Sequence, residues 1–493
     1  MLRRALSRML SWMRPQDSPV ILARERWRAG ERHAAIALLR NRCASRGADA
    51  AAHGLLGAFL IEQARHAHAL AAARRGAPEQ PPATLYREAV EHLARASVLA
   101  PAEAATLRNR GIALRELGEL SLAHEAFAQA HRVAPQDPDI MADLAFSLQC
   151  AGDTQAAVAL YERAIGSHPQ GANAHAGLAL SLLGAGDYAR GWDEYEWRLR
   201  VPGSGIRREF PFPNWQGEDL AGRCLLVYSE QGIGDEIMFA SCFDELSDMA
   251  ARCVFESSVR LAPLFARSFP RATILRRDRS RMPDWAKLPK IDVHIAAGSV
   301  PRYLRGAAER FPARERYLSA DPARASHWRD RLREAGPGRK IGIAWSGGLP
   351  GTLRAARSLP LEALRSLLAT PGATFVALEF LDCSAEVSAF NSVETARVHW
   401  WPEAVKTIDE TAALVSCLDL VISVTTATAH LAGALGRPTW VLVPSVPTWR
   451  YMWQGERMPW YPSMRILRTQ GDREPRALIG RTQEALAAWL RAG

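Results

Sequence analysis

Three short stretches carry residues whose types and spacing could do chemistry. The first is Gly232-Ile233-Gly234-Asp235, which follows the apolar run Cys224–Tyr228. Two glycines after a buried strand allow a tight turn and a close ligand approach. Asp235 stands where it either caps the following helix or reaches an acceptor hydroxyl. The third glycine of a nicotinamide fingerprint is absent, and so are the Lys and Ser/Thr of a Walker A loop. The second stretch follows the run Lys340–Trp345. Ser346 and Gly347 offer hydroxyl and backbone donors, and Arg354 and Arg357 could clamp a phosphate with paired N–H groups. The competing reading is a surface loop with incidental arginines. The third stretch runs from Ser423 to Pro438. Thr425, Thr426 and Ala427 lead into an Ala-rich helix, with His430 one turn in. Free N–H groups at a helix start, with added threonine hydroxyls, suit a diphosphate; a lone helical histidine is otherwise structural. Upstream, Asp409-Glu410-Thr411 reads either as a capping signal or as a ribose contact through Asp409 and Thr411.

These loops need strands and helices to hold them. After Gly205, short apolar runs alternate with helical stretches: 224–228, 253–255, 272–275 and 291–295, then 340–345, 374–378, 420–423 and 439–443. That alternation predicts two parallel sheets flanked by helices, two Rossmann-like domains facing a cleft. Open sheets of this kind take ligands at the carboxyl ends of their strands. A terminal helix over about 473–491 is expected to cross back onto the first of the two.

Upstream of residue 200 the pattern is a repeat. Pro101, Pro135 and Pro169 are spaced by 34 residues. Gly118, Gly152 and Gly186 keep the same spacing, as do Ala123, Ala157 and Gly191, and Phe127, Tyr161 and Tyr195. Glycine ends the first helix of each pair. The small residue admits close helix packing, the aromatic fills the gap to the neighbouring repeat, and proline ends the second helix. Residues 19–46 read as a degenerate capping repeat. The organisation expected is therefore a basic segment at 1–18, an α-solenoid over 19–200, and Rossmann-like domains at 201–335 and 336–493.

The 493 residues include 58 arginines and only four lysines, with net charge +10. That bias reads as a generally basic surface, and no aromatic-plus-basic motif or zinc-finger spacing points to nucleic acid. No apolar run reaches membrane-spanning length, and the arginines of the first 14 residues break a secretory signal. Seven scattered cysteines without C-x-x-C favour a reducing, cytoplasmic setting. His66 and His68 cannot share a helix face, so they read as surface residues. No metal-ligand cluster is evident, and no metal is expected.

The blocks together resemble a bacterial family in which tetratricopeptide repeats precede a heptosyltransferase-like GT-B glycosyltransferase. The resemblance covers roughly residues 100–470. It rests on Gly191–Arg198, Trp215–Glu218, Glu230–Asp235, Ile343–Gly347 with Arg357–Leu361, Thr426–Pro438, Pro447–Arg450 and Pro459–Pro462. It implies an α-solenoid followed by a GT-B fold. It also implies a nucleotide-sugar substrate without cofactor or metal, its diphosphate on the helix near Thr426 and His430. Asp235 matches the family's proposed base. The repeats would present a protein acceptor, such as a flagellin or other surface protein, or the acceptor is a saccharide. Three positions depart from the family pattern. Thr425 replaces a usual Asp, Glu379-Phe380 stands where Gln-Lys is usual, and Gly348–Gly351 is less polar than expected. Each removes a donor-side contact, so the alternative implied is a non-catalytic scaffold.

Overall fold

The computed structural model describes residues 18–74, 81–204, 206–277, 283, 285–348, 354–394, 396–443, 448–469 and 475–492. The expected basic segment, apart from Ser18, and Leu349–Leu353 of the second loop lie outside these. The chain divides into two compact units, Met1–Ala174 and His175–Gly493.

The first unit is a run of antiparallel helix pairs: α1 (Pro19–Arg28), α2 (Arg32–Ser45), α3 (Ala50–Arg74), α4 (Pro82–Leu99), α5 (Ala104–Glu116), α6 (Leu120–Val133), α7 (Pro138–Ala151) and α8 (Thr154–Ser167). Several boundaries have a local cause. Asp137 caps α7 by accepting from the Asp139 and Ile140 amides, with Pro138 at the first helical position. Gly118 and Gly152 close their helices with φ of +83° and +94°, a conformation that disfavours any side chain. The repeat register is met. Ala123, Ala157, Phe127 and Tyr161 are buried, and the α5–α6 approach is tight enough that a Cβ on Gly111 would strike the Phe127 ring. His66 is exposed; the His68 side chain lies outside the described residues.

The second unit takes in α9 (Ala172–Ala185) from His175 onward and α10 (Tyr188–Tyr195), then two parallel sheets. The first sheet has order β3-β2-β1-β4, from β1 (Cys224–Tyr228), β2 (Arg252–Ser258), β3 (Thr273–Arg277) and β4 (Val293–Ala296). Its helices are α11 (Ile233–Phe239), α12 (Phe243–Met249), α13 (Ala262–Ser268) and α14 (Pro301–Leu304), and α15 (Pro322–Glu334) leads into the second sheet. That sheet has order β10-β9-β8-β5-β6-β7. Its strands are β5 (Arg339–Ala344), β6 (Ala373–Ala377), β7 (Val398–His399), β8 (Leu420–Val424), β9 (Thr439–Val443) and β10 (Met464–Arg468). Its helices are α16 (Arg354–Arg357), α17 (Arg365–Leu368), α18 (Ser384–Val393), α19 (Ile408–Val415), α20 (Ala427–Ala434) and α21 (Pro475–Ala492). Strands β1, β8 and β9 are buried on both faces, which is why they read as unbroken apolar runs. No helix among the described residues is long and apolar enough to cross a membrane.

One expectation is corrected. The terminal helix α21 does not cross back. Leu478, Ile479 and Leu486 pack with Leu364 and Leu367 in the core of the second sheet. Tyr188, Trp192 and Tyr195 belong to the core that includes Phe239, Trp449 and Trp460, and the Trp192 indole N–H donates to the Arg305 carbonyl at 2.9 Å.

Candidate active site

Strand β1 ends at Tyr228, and the chain runs through Ser229-Glu230-Gln231 and turns at Gly232 into α11. Gly232 is the N-cap, and Asp235 lies two residues inside the helix's first turn. The capping reading of Asp235 is therefore wrong. Its Oδ1 instead accepts from Arg450 Nε at 2.5 Å and from a second Arg450 nitrogen. Its Oδ2 has no hydrogen-bond partner among the described residues and faces the Gly232 turn, where a Cβ would sit 3.7 Å from it.

Strand β8 ends at Val424, and Thr425 leads from it into α20. Thr426 is the N-cap, accepting from the Thr428 amide at 3.1 Å. Thr425 is 3% exposed, and its Oγ1 has no partner among the described residues. An orphaned buried hydroxyl is uncommon and costs about 1–3 kcal/mol. Helices α11 and α20 touch. A Cβ on Gly234 would lie 3.2 Å from the His430 ring and 3.5 Å from Ala427 Cα. The glycine pair thus brings two helix starts, each at the carboxyl end of a parallel strand, into one junction.

His430 is corrected from ligand contact to internal strut. It is buried, with Nδ1 3.1 Å from the Tyr461 hydroxyl and Nε2 3.2 Å from the Tyr451 hydroxyl. A neutral imidazole has one donor and one acceptor, and two hydroxyls satisfy both. Burial, with a smaller repulsion from Arg450, pushes its pKa down to about 3, so it brings no positive charge to a phosphate.

The second loop is also more internally satisfied than its composition suggests. The Ser346 amide donates to Glu379 Oε1 at 2.8 Å, the Trp345 amide to the same oxygen at 2.7 Å, and the Gly347 amide to Ser358 Oγ at 2.8 Å. Ser346 and Gly347 therefore offer no free backbone donors. Arg357 leans across the loop toward the Gly347 carbonyl at 3.3 Å and the Thr425 carbonyl at 3.5 Å. Burial, and then the nearby Arg450, pull its pKa below the ordinary arginine value. Arg354 is half-buried, and its carbonyl accepts from Ser358 Oγ.

Asp409 and Thr411 are not part of this junction's bonding. Thr407 is the cap of α19. Asp409 pairs with Arg267, and the Thr411 hydroxyl donates to the Ala404 carbonyl at 2.8 Å. Both are corrected from ribose contacts to fasteners, Asp409 tying α19 to α13 of the first sheet.

The segment from Thr448 to Trp453 is what sequence reasoning missed. Arg450 holds Asp235, Tyr451 holds His430, and the Trp453 amide and indole donate to the Gly184 and Ser181 carbonyls, each at 2.8 Å. Between them Met452 has φ +58°, a strained value for a residue with a side chain. Arg198 and Glu230 were missed too. They form a buried ion pair at 2.9 Å, and Glu230 Oε1 also accepts from the Gly298 amide. The block Thr448-Trp449-Arg450 was visible as a signature, but nothing in its residue types indicated these partners.

No family model matches the chain. The chain is 35% identical over 318 residues to Protein FlbA of Caulobacter vibrioides, covering 60% of this chain and 52% of FlbA. It thus spans about half the length of that curated relative. Among solved structures it is similar to ADP-heptose LPS heptosyltransferase II of E. coli, at 15% identity over 55% of this chain and 99% of that one, with TM-score 0.41. It is also similar to TTC0263, a thermophilic TPR protein of Thermus thermophilus, at 21% identity over 37% of this chain and 87% of that one, with TM-score 0.28. Tetratricopeptide-type helix pairs and two parallel α/β sheets share this one chain.

Proposed function

We propose that the chain is a glycosyltransferase. It moves a sugar from a nucleotide-sugar donor to a protein or saccharide acceptor, and the repeats recruit the acceptor. The observation that carries this reading is the junction of α11 and α20. Two helix N-termini at strand carboxyl ends bring a carboxylate, Asp235, beside an anion-favouring helix start at Thr425–Ala427. In this reading the donor diphosphate lies on the α20 amides, with the Thr425 hydroxyl and the Arg357 guanidinium beside it. Asp235 Oδ2 takes the acceptor hydroxyl's proton while the sugar is attacked in line, and Arg450 keeps the carboxylate oriented through Oδ1. No metal or cofactor is assigned a step.

One observation favours the alternative, a non-catalytic scaffold. Glu379 and Ser358 consume the Ser346 and Gly347 amides, and two tyrosines consume His430. Donor binding would then rest on Thr425, Arg357 and the α20 amides alone.

Asp235→Asn separates the two. It weakens the ion pair with Arg450 and should cost about 1.5–3 kcal/mol of stability in either case. If Asp235 is the base, turnover falls about 10²–10⁴-fold while nucleotide affinity holds. A folded Asn variant with full turnover would remove Asp235 from the mechanism.

A further inference from the structure

We propose that Cys43, His53 and His92 form a binding site for a divalent transition metal of the zinc class. The three stand on α2, α3 and α4, far apart in sequence, and helix packing brings them together. One ligand atom from each lies within 4.8 Å of the other two. The His53 and His92 Nδ1 atoms share a hydrogen bond at 2.8 Å; a metal between them would take the place of its proton, the donor ring then carrying its N–H at Nε2. The approach has a local cause. Gly57 is one turn beyond His53, and a Cβ there would strike the Leu93 side chain next to His92. Any larger residue would drive α3 and α4 apart.

The donor set selects the ion. One thiolate and two imidazoles are borderline-soft ligands, suited to Zn²⁺ or Co²⁺ and not to Mg²⁺ or Ca²⁺. With metal–nitrogen bonds of about 2.0–2.1 Å and a metal–sulfur bond of about 2.3 Å, tetrahedral ligands stand roughly 3.3–3.6 Å apart. The metal would part the two nitrogens by about half an ångström and draw the sulfur inward. The thiol proton leaves to solvent as the sulfur–metal bond forms, and a water completes the shell. A second layer of contacts is present. His92 Nε2 is 4.0 Å from Glu88 Oε1, and Arg40 clamps Glu88 through both its oxygens at 2.6 and 2.7 Å. Cys43 and His53 are buried and His92 is partly exposed, so the ion has a side from which to enter. The bound ion would pin α2, α3 and α4 together.

The test uses the full chain, reduced and stripped of metal with chelator, then titrated with Co²⁺. The wild type should bind one ion per chain, gaining tetrahedral visible bands and a thiolate-to-cobalt charge-transfer band, and equimolar Zn²⁺ should displace it. Cys43→Ala should lose the charge-transfer band, and His92→Gln should lose stoichiometric binding. Because both changes sit in a packed core, the unmodified protein is also alkylated with and without Zn²⁺ and mapped by mass spectrometry. Zn²⁺ should protect Cys43 and leave the labelling of Cys417 unchanged. Equal cobalt binding by wild type and Cys43→Ala, or no protection of Cys43, overturns the proposal.

Discussion

The environment of His430 makes a quantitative prediction about pH. In the folded chain the ring stays neutral down to about pH 3. In the unfolded chain an imidazole titrates near about 6.5. Between these values the unfolded state binds a proton that the folded state refuses. Stability is therefore full above about pH 6.5 and is lost as pH falls toward 3. At pH 5 the loss assigned to His430 is about 2 kcal/mol, from the proton bound to the unfolded imidazole alone. His430→Gln keeps an amide donor and acceptor for Tyr461 and Tyr451 but cannot titrate. Urea unfolding followed by tryptophan fluorescence reads the right unit, since every tryptophan except Trp12 and Trp27 lies beyond residue 175. The drop in unfolding free energy from pH 7 to pH 5 should be about 2 kcal/mol smaller in the variant than in wild type. Other buried histidines contribute equally to both proteins and cancel. An identical pH dependence in the two proteins would show that burial does not hold His430 neutral, and the strut reading would fall with it.

Two further outcomes follow from packing. Arg198→Met should cost about 3–5 kcal/mol, because it leaves the Glu230 carboxylate, 1% exposed, without its cation; adding Glu230→Leu should restore much of that, as chemical denaturation will show. Gly184→Ala should cost about 1–3 kcal/mol by driving a methyl into the Trp453 ring, and a thermal melt matching wild type would contradict the docking of the 448–453 segment.

Much of the architecture was legible because periodic burial writes itself into residue type. The 34-residue register placed Gly118, Gly152, Phe127 and Tyr161 where the helices need them, and unbroken apolar runs marked β1, β8 and β9. The terminal helix misled because an amphipathic pattern says that a face is buried and not against which sheet. Within the site, strand-end loops marked Asp235 and Thr425, but residue types do not show which donors are already taken. Glu379 fills the Ser346 amide from 33 residues away, and Arg450 reaches Asp235 across 215 residues. The Cys43, His53 and His92 cluster was hidden for the same reason. Its spacing matches no local ligand motif, and only the close packing of α3 on α4 assembles it.

The central claim is that the junction of α11 and α20 holds a nucleotide-sugar. Calorimetric titration of wild type and Thr425→Val with nucleoside diphosphates and their sugar conjugates tests it most directly. Valine keeps the shape of Thr425 and removes the orphaned Oγ1, so stability should hold or rise. The prediction is that at least one of these ligands binds wild type and binds Thr425→Val about ten-fold more weakly, the worth of one hydrogen bond. A folded wild-type protein that binds none of them, or binds them with affinity unchanged by Thr425→Val, would contradict the assignment of this junction as the donor site.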